Sequence, residues 1–412
     1  MTTLAKVRAR EVLDSRGFPT VEVELASTRL TARGLVPSGA STGSREALEL
    51  RDGGSRWQGK GVKTAVANVE QLARKLIGHD IASQEDLDRL LIEQDPSPTK
   101  ATLGANALLG ISLAFCRLQA LEKQLPLYTH IAALAGKTGH LLPVPQLNLL
   151  NGGKHAGFEN DIQEHMIVPR AKTFAERLEQ AGEMYQLLRT TLKKQYGPSA
   201  THLADEGGFA PTQLQDTRAR LELLMQIRDE LGYTMEFALD AAASEFYQGG
   251  SYHLGTRSFS AGELIDFYRD LVSTYPITSL EDGLAEGDWD GWTQLQQSLG
   301  SKLQIVGDDI LVTNPILIQQ AIDAKACNAL LLKVNQIGTV TEALKAAALA
   351  QSQSWGVVVS HRSGETEDAF IADLAVGIDA GQCKFGAPAR SDRTAKYNQL
   401  LRIEEALTSE ET

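Results

Sequence analysis

Hydrophobic and polar residues alternate from Ala5 to about Val36, as Val-Arg-Ala-Arg-Glu-Val-Leu, Thr-Val-Glu-Val-Glu-Leu and Leu-Thr-Ala-Arg-Gly-Leu-Val. A period of two belongs to a half-buried strand, and the turn-forming Asp14-Ser15-Arg16-Gly17 and Ser27-Thr28 cut the stretch into three. It predicts a three-stranded antiparallel meander with one face in water. Pro37 to Gly43 is a loop of small residues. From Val62 to about Lys123 the period becomes helical, with a tightly packed helix over Leu103 to Gly110. Strands followed by helices predict a first, α+β domain over residues 1–135.

Beyond Leu141 the rhythm changes to strand, loop, helix, with strand ends expected near Leu150, Val168, Glu206, Asp240, Glu281, Asp308, Lys333 and Ser360. From Asp240 onward each interval leaves room for one crossover helix, as parallel strands require. Eight such ends predict an α/β barrel over residues 136–412. Its opening is irregular, because Val144 to Leu150 and Gln163 to Val168 follow one another with no helix between.

Composition narrows the function classes. A chain of 412 residues is long enough for two domains. Its formal net charge is −12, which favours neither nucleic acid nor an anionic membrane surface as a partner. Cys116, Cys327 and Cys383 lie far apart without a CxxC pair, which argues against a disulfide framework or zinc and fits a reducing cytosol. Lys6, Arg8, Arg10 and Glu11 interrupt any apolar leader, and no stretch reaches the length of a membrane span. A cytoplasmic, soluble protein is expected.

The chemistry gathers at the strand ends. Lys333 closes the apolar run Asn328 to Leu332. A lysine at the end of a buried strand is either a structural ion pair or a base whose pKa burial and nearby cations have lowered. Asp240, Glu281 and Asp308 end the three preceding strands, and in a parallel barrel all four residues meet at one mouth. Three carboxylates in one pocket must be protonated or bind a cation, and an all-oxygen set favours Mg²⁺. Glu206 and Glu164 are expected to face Lys333 from the far side, so that an acid and a base flank a substrate that loses a proton and a hydroxyl. Ser360-His361-Arg362-Ser363 with Lys384 forms a clamp for phosphate and carboxylate groups.

These motifs, in this order, resemble the enolase family. The matching segments are Val36 to Gly43, Asn151 to Ala156, Gln163-Glu164, Asp205 to Gly208, Leu239-Asp240, Glu281-Asp282, Val306 to Asp309, Leu330 to Gly338, Ser360 to Asp368 and Phe385 to Arg390. The resemblance implies a ββαα(βα)6 barrel and the reversible dehydration of 2-phosphoglycerate to phosphoenolpyruvate. It implies Lys333 as the base at C2 and Glu206 as the acid for the C3 hydroxyl, with Glu164 beside it. Asp240, Glu281 and Asp308 would hold the first of two Mg²⁺ ions, and Ser41 on the mobile loop would meet the second. Gln163, Glu164, His155, Asp308, Lys333, His361, Arg362, Ser363 and Lys384 would contact substrate. A homodimer, or a larger assembly of dimers, would be built partly on the meander. Departures are few: the segment Phe158 to Asp161 is acidic, and His165 follows Glu164 where an aromatic residue is usual and is read as packing. A racemisation or cycloisomerisation on the same metal cluster, or a non-catalytic binding role, are the rival readings.

Overall fold

The computed structural model describes residues 1–40 and 43–410. Strands β1 (Lys6–Leu13), β2 (Pro19–Ala26) and β3 (Thr31–Leu35) pair antiparallel in sequence order, as the alternation predicted. Val21, Val23 and Leu25 of β2 are fully buried on the side facing α1 (Ala105–Glu122), which is buried on nearly every side from Ala105 to Cys116. Contact is close because glycine stands on both surfaces. A Cβ at Gly34 would lie 2.7 Å from the Ala114 backbone nitrogen, and one at Gly110 2.6 Å from Val23 Cγ2.

The opposite face of the meander is not left to water as expected. Glu22 and Glu24 are 8% and 9% exposed. The register sets Arg10 against Glu22 and Arg33 against Glu24, and the arginines, with Lys6, lie over the two carboxylates as ion pairs. Long cationic side chains thus cover the central strand with their stems while keeping their charge outward.

The second half closes a barrel of eight strands: β4 (Val144–Asn151), β5 (Glu164–Pro169), β6 (Met235–Asp240), β7 (Ile277–Glu281), β8 (Gln304–Gly307), β9 (Ala329–Leu332), β10 (Gly356–Ser360) and β11 (Gly381–Lys384). Their order around the ring is β7-β8-β9-β10-β11-β4-β5-β6. Three expectations need correcting. Strand β5 runs antiparallel to both neighbours, so its beginning, Gln163 and Glu164, reaches the mouth and Val168 lies towards the other end. Glu206 ends no barrel strand but sits in a tight loop whose flanks bridge Leu203 to Phe209 and Leu150 to Phe209. The eighth strand is β11, carrying Lys384. An antiparallel strand needs no crossover, which is why β4 and β5 follow one another so closely.

The two halves are stitched together at several points. Asp88 Oδ2, from the helix Gln84–Gln94, and Ser112 Oγ, from α1, accept from the Thr341 and Val340 backbone nitrogens at 2.9 Å, capping the barrel helix Val340–Ser352. Arg117 binds Asp368 through both terminal nitrogens at 2.5 Å, and the Leu35 backbone nitrogen donates to the same carboxylate. Such contacts fix the position of the small-residue loop relative to the barrel mouth.

Candidate active site

One cavity at the mouth is lined by His155, Gln163, Glu164, Glu206, Asp240, Asp308, Lys333, His361, Arg362, Ser363 and Lys384. Every residue the sequence singled out is there or adjacent, except Ser41, which lies outside the described residues. Glu281 joins through Lys384, whose ammonium donates at 2.9 Å to Asp240 Oδ2 and to both Glu281 oxygens and sits 3.4 Å from Glu164 Oε1. Burial opposes the charge on Lys384, but Asp240, Glu164 and Glu281 outweigh it and push its pKa well above the ordinary lysine value.

Lys333 follows β9 and donates to Asp308 Oδ2 at 2.5 Å. Burial pulls its pKa down, but Asp308 and then Glu281 reverse this and leave it pushed up to about 12. A lowered pKa is therefore not what these neighbours produce: Asp308 holds the ammonium charged. Asp308 Oδ1 also accepts from Gln336 Nε2 at 2.8 Å.

Glu164 and Glu206 form a second group. One ligand atom each of His155, Glu164 and Glu206 fall within 4.8 Å of one another. Burial raises the pKa of Glu164, and the neighbouring Glu206, Asp240 and Glu281 raise it further. Burial also acts to raise that of Glu206, but His361, His155 and Arg393 pull it well below the usual value. The pair shares a proton, held on Glu164. Arg393 Nη1 meets His361 Nδ1 at 2.5 Å, and a guanidinium can only donate, so the His361 proton is on Nε2, 3.4 Å from Glu206 Oε2. Burial depresses the His361 pKa to about 4, so the ring is neutral and acts on Glu206 as a dipole.

The oxygen donors suit a hard divalent cation. Asp240, Glu281 and Asp308 meet the charge of Lys384 and Lys333, and a second oxygen cluster, Asp282, Asp308 and Asp309, has its ligand atoms within 4.8 Å of one another.

Comparison with known proteins decides the family. The model of the enolase N-terminal domain matches residues 4–131, and that of the enolase C-terminal TIM barrel domain matches residues 139–412. The chain belongs to the enolase family. It is 54% identical to the enolase of Methanopyrus kandleri, over 99% of this chain and 96% of the relative. It is 53% and 52% identical to the enolases of Thermococcus gammatolerans and Thermococcus kodakarensis, in each case over 98% of this chain and 95% of the relative.

Within this enolase-family site several residues were not picked out by sequence. Asp282, in the left-handed region at φ 44°, accepts from the Asp308 and Asp309 backbone nitrogens at 2.9 and 3.0 Å and fixes the turn that presents both acids. Arg393, fully buried, also donates to the carbonyls of Asp205, Arg362 and Ser363 and so ties the Glu206 loop to the clamp. The doubled acids at two strand ends were a signal for Asp282 and Asp309. Arg393 sits in a helix far along the chain, with no local pattern to mark it. His165 is buried as packing, as expected.

Proposed function

We propose that this chain is a hydro-lyase that catalyses the reversible, Mg²⁺-dependent dehydration of 2-phospho-D-glycerate to phosphoenolpyruvate, with Lys333 as the base and Glu206 as the acid. The observation that carries it is the position of the two groups on the ring. β9, which precedes Lys333, and β5, which begins with Glu164, stand four strands apart in the eight-strand order, so base and carboxylate pair face one another across the cavity.

Asp240, Glu281 and Asp308 would hold a magnesium ion, with a second expected near Ser41. When bound, these ions supply the positive charge that offsets the negative charge building on the substrate carboxylate as C2 loses its proton. Lys333 must give up its proton to act as a base, and Asp308 opposes that by holding the ammonium. Engaging Asp308 elsewhere releases Lys333 to a pKa at which it can accept the C2 proton. Across the cavity the Glu164–Glu206 pair holds the proton that leaves with the C3 hydroxyl, Glu164 storing it and Glu206 delivering it. Arg362, Ser363 and His361 hold the phosphate, with His155, Gln163 and Lys384 completing the substrate contacts. The test is a rise in ultraviolet absorbance from the enolpyruvate product when purified protein meets 2-phosphoglycerate with Mg²⁺. No rise under any metal condition would sink this reading.

We take residues 1–135 and 136–412 as the two domains, a division the two family matches support. Among the described residues no helix is long and apolar enough to cross a membrane, which agrees with a cytoplasmic enzyme. We also propose a homodimer through the meander. Of the alternating charges Arg8, Arg10, Glu11, Glu22 and Glu24, all but Arg8 pair within the chain, so among the described residues exposed Arg8 is the one of this set left to cross the two-fold axis. A monomer mass by sedimentation at micromolar concentration overturns it.

A further inference from the structure

The guanidinium assigned to the phosphate is already engaged by a carboxylate of the chain itself. Arg362 Nη1 lies 2.9 Å from Glu46 Oε2, and Nη2 lies 3.1 Å from Glu46 Oε1. This two-pronged arrangement is the one arginine uses to grip a phosphate. Both groups are buried, with side chains 3% and 9% exposed. Glu46 comes from the first half of the molecule, just beyond the small-residue loop, and Gly39 and Ala40 of that loop lie against the same clamp. The Ala40 backbone nitrogen donates to Ser363 Oγ at 2.9 Å, and a Cβ on Gly39 would come within 2.0 Å of Arg362 Nη2.

Two features favour exchange over permanent support. Arg362 has an independent partner in Asn335 Oδ1 at 3.1 Å, which orients it without Glu46. Glu46 Oε1 has donors of its own, the Gly43 backbone nitrogen at 3.0 Å and Gln336 Nε2 at 3.3 Å, so the carboxylate keeps two hydrogen bonds on that oxygen when the arginine leaves. A buried carboxylate stranded without donors would make such an exchange prohibitive.

We propose that Glu46 is a built-in counter-ligand of Arg362, which an incoming phosphate displaces, so that phosphate arrival and rearrangement of the segment from Gly43 to Glu46 are one event. The proposal rests on the reading of Arg362 as the phosphate contact. Glu46 then sets the affinity of the clamp: its negative charge competes with the ligand and repels it.

Titration calorimetry with inorganic phosphate, in buffer containing Mg²⁺, tests this on the whole chain and on Glu46→Gln, which keeps the shape and removes the charge. The variant is expected to bind phosphate about ten-fold more tightly, since a like charge beside the binding group is gone. Weaker or equal binding, or no binding by either protein, overturns the proposal, weaker binding meaning that Glu46 only positions the arginine. Should Glu46→Gln not fold, by thermal unfolding, Glu46→Asp keeps the charge but is too short to hold both nitrogens. It is then expected to bind phosphate about three-fold more tightly than the unaltered chain, and weaker or equal binding again overturns the proposal. Turnover of 2-phosphoglycerate by the unaltered chain is measured separately. Turnover without tighter binding defeats the counter-ligand alone, whereas absent turnover defeats the enzymatic reading.

Discussion

Asp240, Glu281 and Asp308 share the barrel mouth with Glu164 and Glu206, yet the two sets of carboxylates are held differently. Each member of the first set meets an ammonium: Lys384 for Asp240 and Glu281, Lys333 for Asp308. Glu164 reaches Lys384 only at 3.4 Å, and Glu206 meets a neutral donor instead, Asn148 Nδ2, at 3.3 Å and lies near two histidines. Around it His155 Nδ1 and Nε2, Glu164 Oε2, Gln163 Oε1 and Asn148 Oδ1 are buried with no hydrogen-bond partner among the described residues. Buried polar atoms without partners are uncommon, and a group of them marks where other atoms bind. One side of the site therefore stores charge in tight pairs, while the other, tied to Lys384 only through Glu164 Oε1, leaves polar atoms ready for a ligand.

The comparison breaks most sharply on proton transfer. Lys333→Ala is expected to abolish exchange of the C2 proton of 2-phosphoglycerate with heavy water, a loss of ~10⁴-fold or more. Glu206→Gln should keep much of that exchange while slowing loss of the hydroxyl. Native-rate exchange in Lys333→Ala together with its loss in Glu206→Gln would reverse the two roles.

Next in size is the effect on stability. Lys384→Met leaves Asp240, Glu281 and Glu164 buried without their common cation, and at neutral pH without metal it should destabilise the fold by ~3–5 kcal/mol. The loss should shrink as pH falls and the carboxylates take up protons. Denaturant unfolding at several pH values measures this, and a pH-independent loss would point to packing instead of charge.

A smaller effect is expected at the loop. Gly39→Ala forces a methyl group towards the Arg362 guanidinium and should lower turnover by ~10–100-fold through misplacement of the clamp, with little change in thermal stability. Unchanged turnover would mean that the loop lies elsewhere during the reaction.

The smallest effect, taken per pH unit, is a slope of stability with pH. Burial, then the neighbouring Asp308, raises the pKa of Asp309 from 3.8 to about 8. The folded chain thus keeps a proton that the unfolded chain has released, so metal-free stability should fall as pH rises from 3.8 to about 8. The slope contributed by this group is at most ~1.4 kcal/mol per pH unit. Asp309→Asn should remove that part of the slope, and saturating Mg²⁺ should flatten it. A slope unchanged in both would place the titrating group elsewhere.

Much of this site was legible in the chain because its signals are local. Period-two alternation marks the meander, apolar runs ending in an acid or a lysine mark β6 to β9, and the small-residue loop announces itself by composition. What required the folded molecule depends on which distant groups come within a few ångströms. Alternation reads the same in both directions, so it could not tell that β5 runs backwards and presents Glu164 from its beginning. Glu206 is brought to the mouth by a loop bridge to β4 and by Arg393, both made by residues far apart in sequence. The charge state of Lys333 follows from Asp308 at 2.5 Å, and the engagement of Arg362 follows from Glu46 in the other half of the chain. The sequence by itself determined the elements and the residue types at their ends. Tertiary packing decided strand direction, protonation and pairing, because electrostatic and hydrogen-bond energies depend on distance through space and the chain carries no local record of it.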